Sequence, residues 1–239
     1  MLSHLKYFRH GMLAAILVAS SAASFTAKAA VQIVGATLPL VQTDYKDSLA
    51  VAQFNPDMGT LESVTITATG SGQFSQYYQN LSTSSAGSVT ISQNFDMMLS
   101  LPATSTVIAD LNVTPGNQTH SLQAYAGTPY FTGTSGGSQT YTASNAKTVI
   151  LDSSPSLAAF TGSGMADFLV TANGSGGSNN NTGNFLVGWS TLAGLELSVI
   201  YTYNAIPEPS TWMAGIFAVA GGLVFISRSH LKRRNDLLK

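Results

Sequence analysis

A single histidine, His120, stands in the chain between residues 31 and 206, and it is the first place to look for chemistry. Ser and Asp abound there, so a Ser-His-Asp arrangement is formally open. However, no Gly-x-Ser-x-Gly elbow occurs, and Gly162-Ser163-Gly164 reads as a turn. One imidazole cannot make a zinc site, and the chain has no Cys to assist it. The same absence removes thiolate nucleophiles and disulfides. Asp44 and Asp47 are the closest acids, but they lack the Asp-x-Asp-x-Asp-Gly run of a calcium loop and read as solvated charges. Nothing singles out two carboxylates as a glycosidase pair. The expectation is a chain that is not an enzyme, with no catalytic residue, bound metal or cofactor.

Aromatic residues offer a second chemistry. Tyr77, Tyr78, Tyr125, Tyr130, Phe131, Tyr141, Tyr201 and Tyr203 could stack on sugars, although strands also use such rings for packing and cross-strand pairs. Asn-x-Ser/Thr triplets at Asn80, Asn112, Asn117, Asn173 and Asn180 read as products of a composition rich in Ser, Thr and Asn.

The elements that must position these groups are strands. Val64, Ile66 and Ala68 alternate with Thr65, Thr67 and Thr69. Phe185, Val187 and Trp189 alternate with Leu186, Gly188 and Ser190, and Leu195, Leu197, Val199, Tyr201 and Tyr203 do the same further on. Further strands are expected at Ser88–Ser92, Thr106–Val113, Thr119–Tyr125, Lys147–Leu151 and Met165–Ala172. Turn signals stand at Gly70–Gly72, Thr114–Asn117, Gly133–Gly137 and Asn173–Gly183, the last expected to be a mobile hairpin loop. Many short strands between turns predict an all-β antiparallel sandwich spanning residues 30–205.

Both ends read as targeting segments. Lys6, Arg9 and His10 precede an apolar, small-residue run from Gly11 to Phe25, and Ala27-Lys28-Ala29 fits a signal-peptidase site. Residues 1–29 are therefore expected to be a signal helix, delivered to the Sec machinery and cleaved after Ala29 or Ala30. At the other end, residues 206–239 open with Pro207-Glu208-Pro209. Trp212 and an uncharged run follow, containing Met213, Ile216, Phe217, Val219, Leu223, Val224, Phe225 and Ile226; Arg228, Lys232, Arg233 and Arg234 close it. About 15 helical residues span ~22 Å, short for a bilayer core but adequate with snorkelling. The prolines keep the chain before Trp212 extended, and the basic cluster belongs on the cytoplasmic side. Between residues 31 and 206 two lysines face nine acids, a net of −7 with no Arg. That balance excludes nucleic acid as a partner.

Pro-Glu-Pro-Ser-Thr-Trp, an apolar helix and a basic end resemble the PEP-CTERM sorting signal at the extreme C-terminus. The resemblance implies recognition of Pro207, Glu208 and Pro209 by an exosortase, a membrane-embedded cysteine transpeptidase of exopolysaccharide-producing Gram-negative bacteria. Ile206 stands where Val is common in that family. The body resembles the choice-of-anchor E domain over roughly residues 31–205. The stretches that carry this likeness are Phe54–Val64, Leu157–Gly164 and the closing strand Leu197–Tyr203. Together these imply an exported protein, held transiently at the inner membrane and then placed at the cell surface or in the extracellular matrix. A structural or adhesive role beside exopolysaccharide follows from a polar, weakly charged body. A carbohydrate-binding module and an extracytoplasmic hydrolase are the alternatives.

Overall fold

Alternation of period two governs almost the whole body, and it extends well beyond the windows legible in the sequence. The computed structural model describes residues 29–127, 129–181 and 184–206. Among these, Ala30–Tyr203 forms one compact unit. Its strands are β1 (Ala29–Gln42), β2 (Tyr45–Ala52), β3 (Gly59–Asn80), β4 (Gly87–Leu101), β5 (Thr106–Val113), β6 (Gln118–Leu122), β7 (Gly136–Leu151), β8 (Met165–Asn180) and β9 (Phe185–Ala205). One short helix, α1 (Ser154–Ala158), interrupts them. The signal segment expected at residues 1–29 and the sorting segment expected at residues 206–239 lie outside the described residues except for Ala29 and Ile206.

Two antiparallel sheets result, ordered β1-β9-β3-β7 and β2-β8-β4-β5, with β6 also on β4. β5 and β6 occupy successive stretches of the same β4 edge: Phe95 faces Val113, and Ile91 faces Gln118. They are one strand position broken at Thr114–Asn117, where Pro115 has no N–H to offer the ladder. Taken so, the pairs β1·β9, β2·β8, β3·β7 and β4·β5 are those of one long hairpin rolled upon itself, the jelly-roll topology.

The inward rows of the two sheets meet. Val64, Ile66, Ala68, Phe74 and Tyr78 of β3 are buried, as are Val89, Ile91, Phe95, Met97 and Leu99 of β4. Phe74 and Phe95 stack across the interface with centroids 5.9 Å apart. A side chain at Gly72 would collide with the Phe95 ring at 2.5 Å. Gly70-Ser71-Gly72 is therefore a seat for aromatics inside β3, not the expected turn.

The stretches Phe54–Val64, Leu157–Gly164 and Leu197–Tyr203 converge at one end of this sandwich, the plug end. Asn55 caps a 3-10 turn by accepting from the Asp57 N–H, and β3 starts at Gly59. The Phe54 N–H donates to the Phe160 carbonyl at 2.8 Å, and the Phe54 carbonyl accepts from the Gly162 N–H at 3.0 Å. Phe54 lies 6.0 Å from Tyr201 and 4.8 Å from Tyr203, while Phe160 lies 6.0 Å from Phe168. The Tyr201 hydroxyl donates to the Ala52 carbonyl at 2.7 Å, and burial pushes its phenol up to about 12. Gln53 bolts the closing loop through Ala159 O and Gly164 N. β9 finishes here, so the chain leaves the unit at the plug end.

Asn173–Gly183, expected to be a mobile loop, is strand as far as Asn180: Asn173 faces Asp96 and Asn180 faces Val89. Gly176 is where a Cβ would strike the Trp189 indole at 2.7 Å. The glycines admit a neighbour rather than free the backbone. β1 and β2 went unforeseen.

Candidate functional site

The opposite end of β3 and β9, the ring end, is built on amides rather than aromatic plugs. Gln79 and Asn80 close β3 with no exposed surface. Alternation turns these two neighbours to different sides, and each clamps a different part of the loop 123–135. Asn80 donates to the carbonyls of Ser85 and Gln123, both at 2.9 Å, and accepts from the Ser82 N–H. Gln79 donates to the Ser135 carbonyl and hydroxyl at 2.9 Å and accepts from the Phe131 N–H at 2.8 Å. The amide fits because Gly136 has no side chain; a Cβ there would overlap Gln79 Oε1.

This clamp holds Phe131 at φ 59°, a left-handed conformation that bulky residues rarely adopt. The consequence is a run of rings at the surface. Tyr77 meets Phe131 edge-on at 5.8 Å, Phe131 lies 6.4 Å from Tyr130, and Tyr130 stacks on Tyr125 at 6.4 Å. Tyr130 is 59% exposed and Tyr77 39%. Of the other expected sugar-stacking rings, Tyr78, Tyr201 and Tyr203 are buried, and Tyr141 is half-buried on β7. The three buried rings belong to packing.

His120 is also a packing residue. It lies flat against Tyr78 with centroids 3.8 Å apart, and its Nε2 meets Gln76 Oε1 at 3.1 Å. Burial lowers its pKa below the usual value. Ser163 sits just before β8, whereas His120 lies opposite Val89, which faces the last residue of that strand. About fifteen strand residues, roughly 50 Å, separate the two, so they cannot act together. Asp44 is a corner: its backbone has φ 69°, and Oδ1 accepts from the Gly174 N–H at 2.9 Å. Asp47 accepts from the Ser48 N–H. Among the described residues no three metal-ligating groups cluster, and no helix is long and apolar enough to cross a membrane.

Of the sequons, Asn80 is buried in the clamp and closed to modification, and Asn112 donates to Asp96 Oδ1 at 2.6 Å. The sorting residues Pro207, Glu208 and Pro209, the anchor from Trp212 and the basic end lie outside the described residues, as does Ala27. Ala29 opens β1. Sequence reasoning missed Gln76 and Gln79 and took Asn80 only as part of a sequon; the run Gln76-Tyr77-Tyr78-Gln79-Asn80 mixes amides and rings without a period that marks the amides as buried.

No protein family's sequence profile matches the chain, and no curated protein is similar to it. Among solved structures, dimeric latent PorU from Porphyromonas gingivalis aligns at TM-score 0.26 and 9% identity, over 74% of this chain and 13% of that one. Eiger TNF from S. frugiperda aligns at 0.22 and 8%, over 75% and 96%. A mud crab tombus-like virus protein aligns at 0.21 and 9%, over 80% and 88%. The chain thus spans about an eighth of the PorU length, and scores this low carry no functional argument.

Proposed function

We propose that this chain is an exported surface or matrix protein, sorted and processed by an exosortase, with a structural or adhesive role beside exopolysaccharide. The observation that carries the reading is the C-terminal order Pro207-Glu208-Pro209, Trp212, an uncharged apolar run, then Arg228, Lys232, Arg233 and Arg234. An extended triplet suits a transpeptidase cleft, and a basic end suits the cytoplasmic face. The signal-like start with Ala27 and Ala29 supports export by the Sec route and removal by signal peptidase. The fold fits this division of labour: β9 ends at Ala205, one residue short of the triplet, at the plug end. The jelly roll is the cargo, and the chemistry of sorting belongs to the enzyme that reads the tail.

The triplet itself provides the test. Replacing Pro207→Ala, Glu208→Gln and Pro209→Ala together leaves the full-length chain in the inner-membrane fraction, while the wild type reaches the surface. Processing and surface delivery of the variant at wild-type level would overturn the sorting reading.

A further inference from the structure

We infer that Tyr77, Tyr125, Tyr130 and Phe131 form a platform for a neutral glycan chain. Four rings run together at 5.8–6.4 Å, and two of them are well exposed. Sugar rings carry patches of C–H bonds that pack on the electron-rich face of an aromatic ring. The exposed surfaces of Tyr77 and Tyr130 offer such contacts to residues of a polysaccharide.

Preorganisation is the second observation. The left-handed Phe131 costs backbone energy, and a fully buried glutamine is committed to keeping it there. Packing alone does not require this, since Phe131 and Tyr130 remain partly exposed. A loop already fixed in its presenting conformation spares a ligand the cost of ordering it.

Charge selects the class of glycan. Segments 70–95, 113–145 and 174–195, which build this end, contain no Asp, Glu, Lys or Arg. Among the described residues these segments offer no lysine or arginine to pair with a uronate, sulfate or phosphate, and the net −7 of the body repels polyanions. Hydroxyls remain for hydrogen bonding: Ser138 faces Tyr77 across β3 and β7. Stacking faces with neutral donors and acceptors fit a neutral hexose polymer. This inference stands apart from how the tail is processed, so either can fail alone.

Affinity electrophoresis of the full-length chain in mild detergent tests it, using gels cast with dextran, mannan, a soluble β-glucan or alginate. Retardation is expected with at least one neutral polymer and not with alginate. Tyr130→Ser with Tyr77→Ala weakens it by at least about tenfold, as for truncated aromatic anchors, while Tyr130→Phe keeps it. On the wild type, the retarding glycan also shields Tyr130 and Tyr125 from tyrosine nitration, a readout independent of variant folding. No retardation by any neutral polymer, a preference for alginate, or unchanged retardation and nitration would each overturn the platform.

Discussion

The two ends of this jelly roll solve the same closure problem with different materials. At the plug end Phe54, Phe160, Phe168, Tyr201 and Tyr203 fill the mouth between the sheets with rings packed inward. At the ring end buried amides clamp the closing loop over a smaller apolar cluster around Tyr78, and the aromatics Tyr77 and Tyr130 are left outside. Apolar burial is non-directional and tolerant of loop detail. Amide clamps are directional: each donor and acceptor must find its partner or cost the fold its desolvation. An end that only has to be shut can use the first. An end that must present a loop in one conformation needs the second.

The widest gap between the ends should appear on truncation. Phe160→Ala opens a cavity in the plug and is expected to cost about 3–5 kcal/mol in chemical denaturation; a loss under about 1 kcal/mol would show that the plug is not the anchor of the core. Gln79→Leu leaves the Phe131 N–H and Ser135 without their partner, at about 1–3 kcal/mol. Its signature is local: hydrogen exchange should rise in residues 123–135 and stay unchanged around Phe54 and Phe160. A uniform rise would erase the distinction between a clamp and a plug.

Titration separates the ends again, in opposite directions. His120 at the ring end has a folded pKa below its ordinary 6.5, so its contribution is complete above that value. The contribution is lost as pH falls from 6.5 through the depressed value, because the unfolded chain takes up the proton first. Tyr201 at the plug end has a folded value of about 12 against an ordinary 10.0. Its contribution is complete below pH 10 and is lost as pH rises from 10 towards 12. His120→Phe should therefore flatten the acid limb of a stability profile and Tyr201→Phe the alkaline limb. If each substitution altered both limbs equally, the assignment would be wrong. The smallest stability effect belongs to Tyr130→Ser, expected within about 0.5 kcal/mol because the ring is exposed. A thermal shift larger than a few degrees would make Tyr130 a packing residue.

Much of the plug end was legible in the sequence. Leu195 to Tyr203 alternate cleanly, and all five inward residues are buried. Phe54–Val64 and Leu157–Gly164 stood out as stretches, although only the fold shows that they touch. The ring end was opaque for a physical reason. Gly, Ser and Asn between 173 and 180 carry the composition of a loop, yet the β4 ladder holds them as strand, and glycine there makes room for Trp189. Strand identity in such a segment comes from its neighbours, not from its own propensity. Gln79 and Asn80 gave no signal because a buried amide looks like a surface one until its partners are known. β1 was hidden because Gly35 and Pro39 interrupt its alternation, and both residues argue against a strand interior.

The central claim concerns where the mature chain ends. Intact mass and C-terminal peptide mapping, on protein from native cells with and without the exosortase, test it most directly. A mature chain ending near Pro207-Glu208-Pro209, with that end lost in the mutant, is the predicted result. A chain that keeps Trp212 to Lys239 in both strains would contradict it.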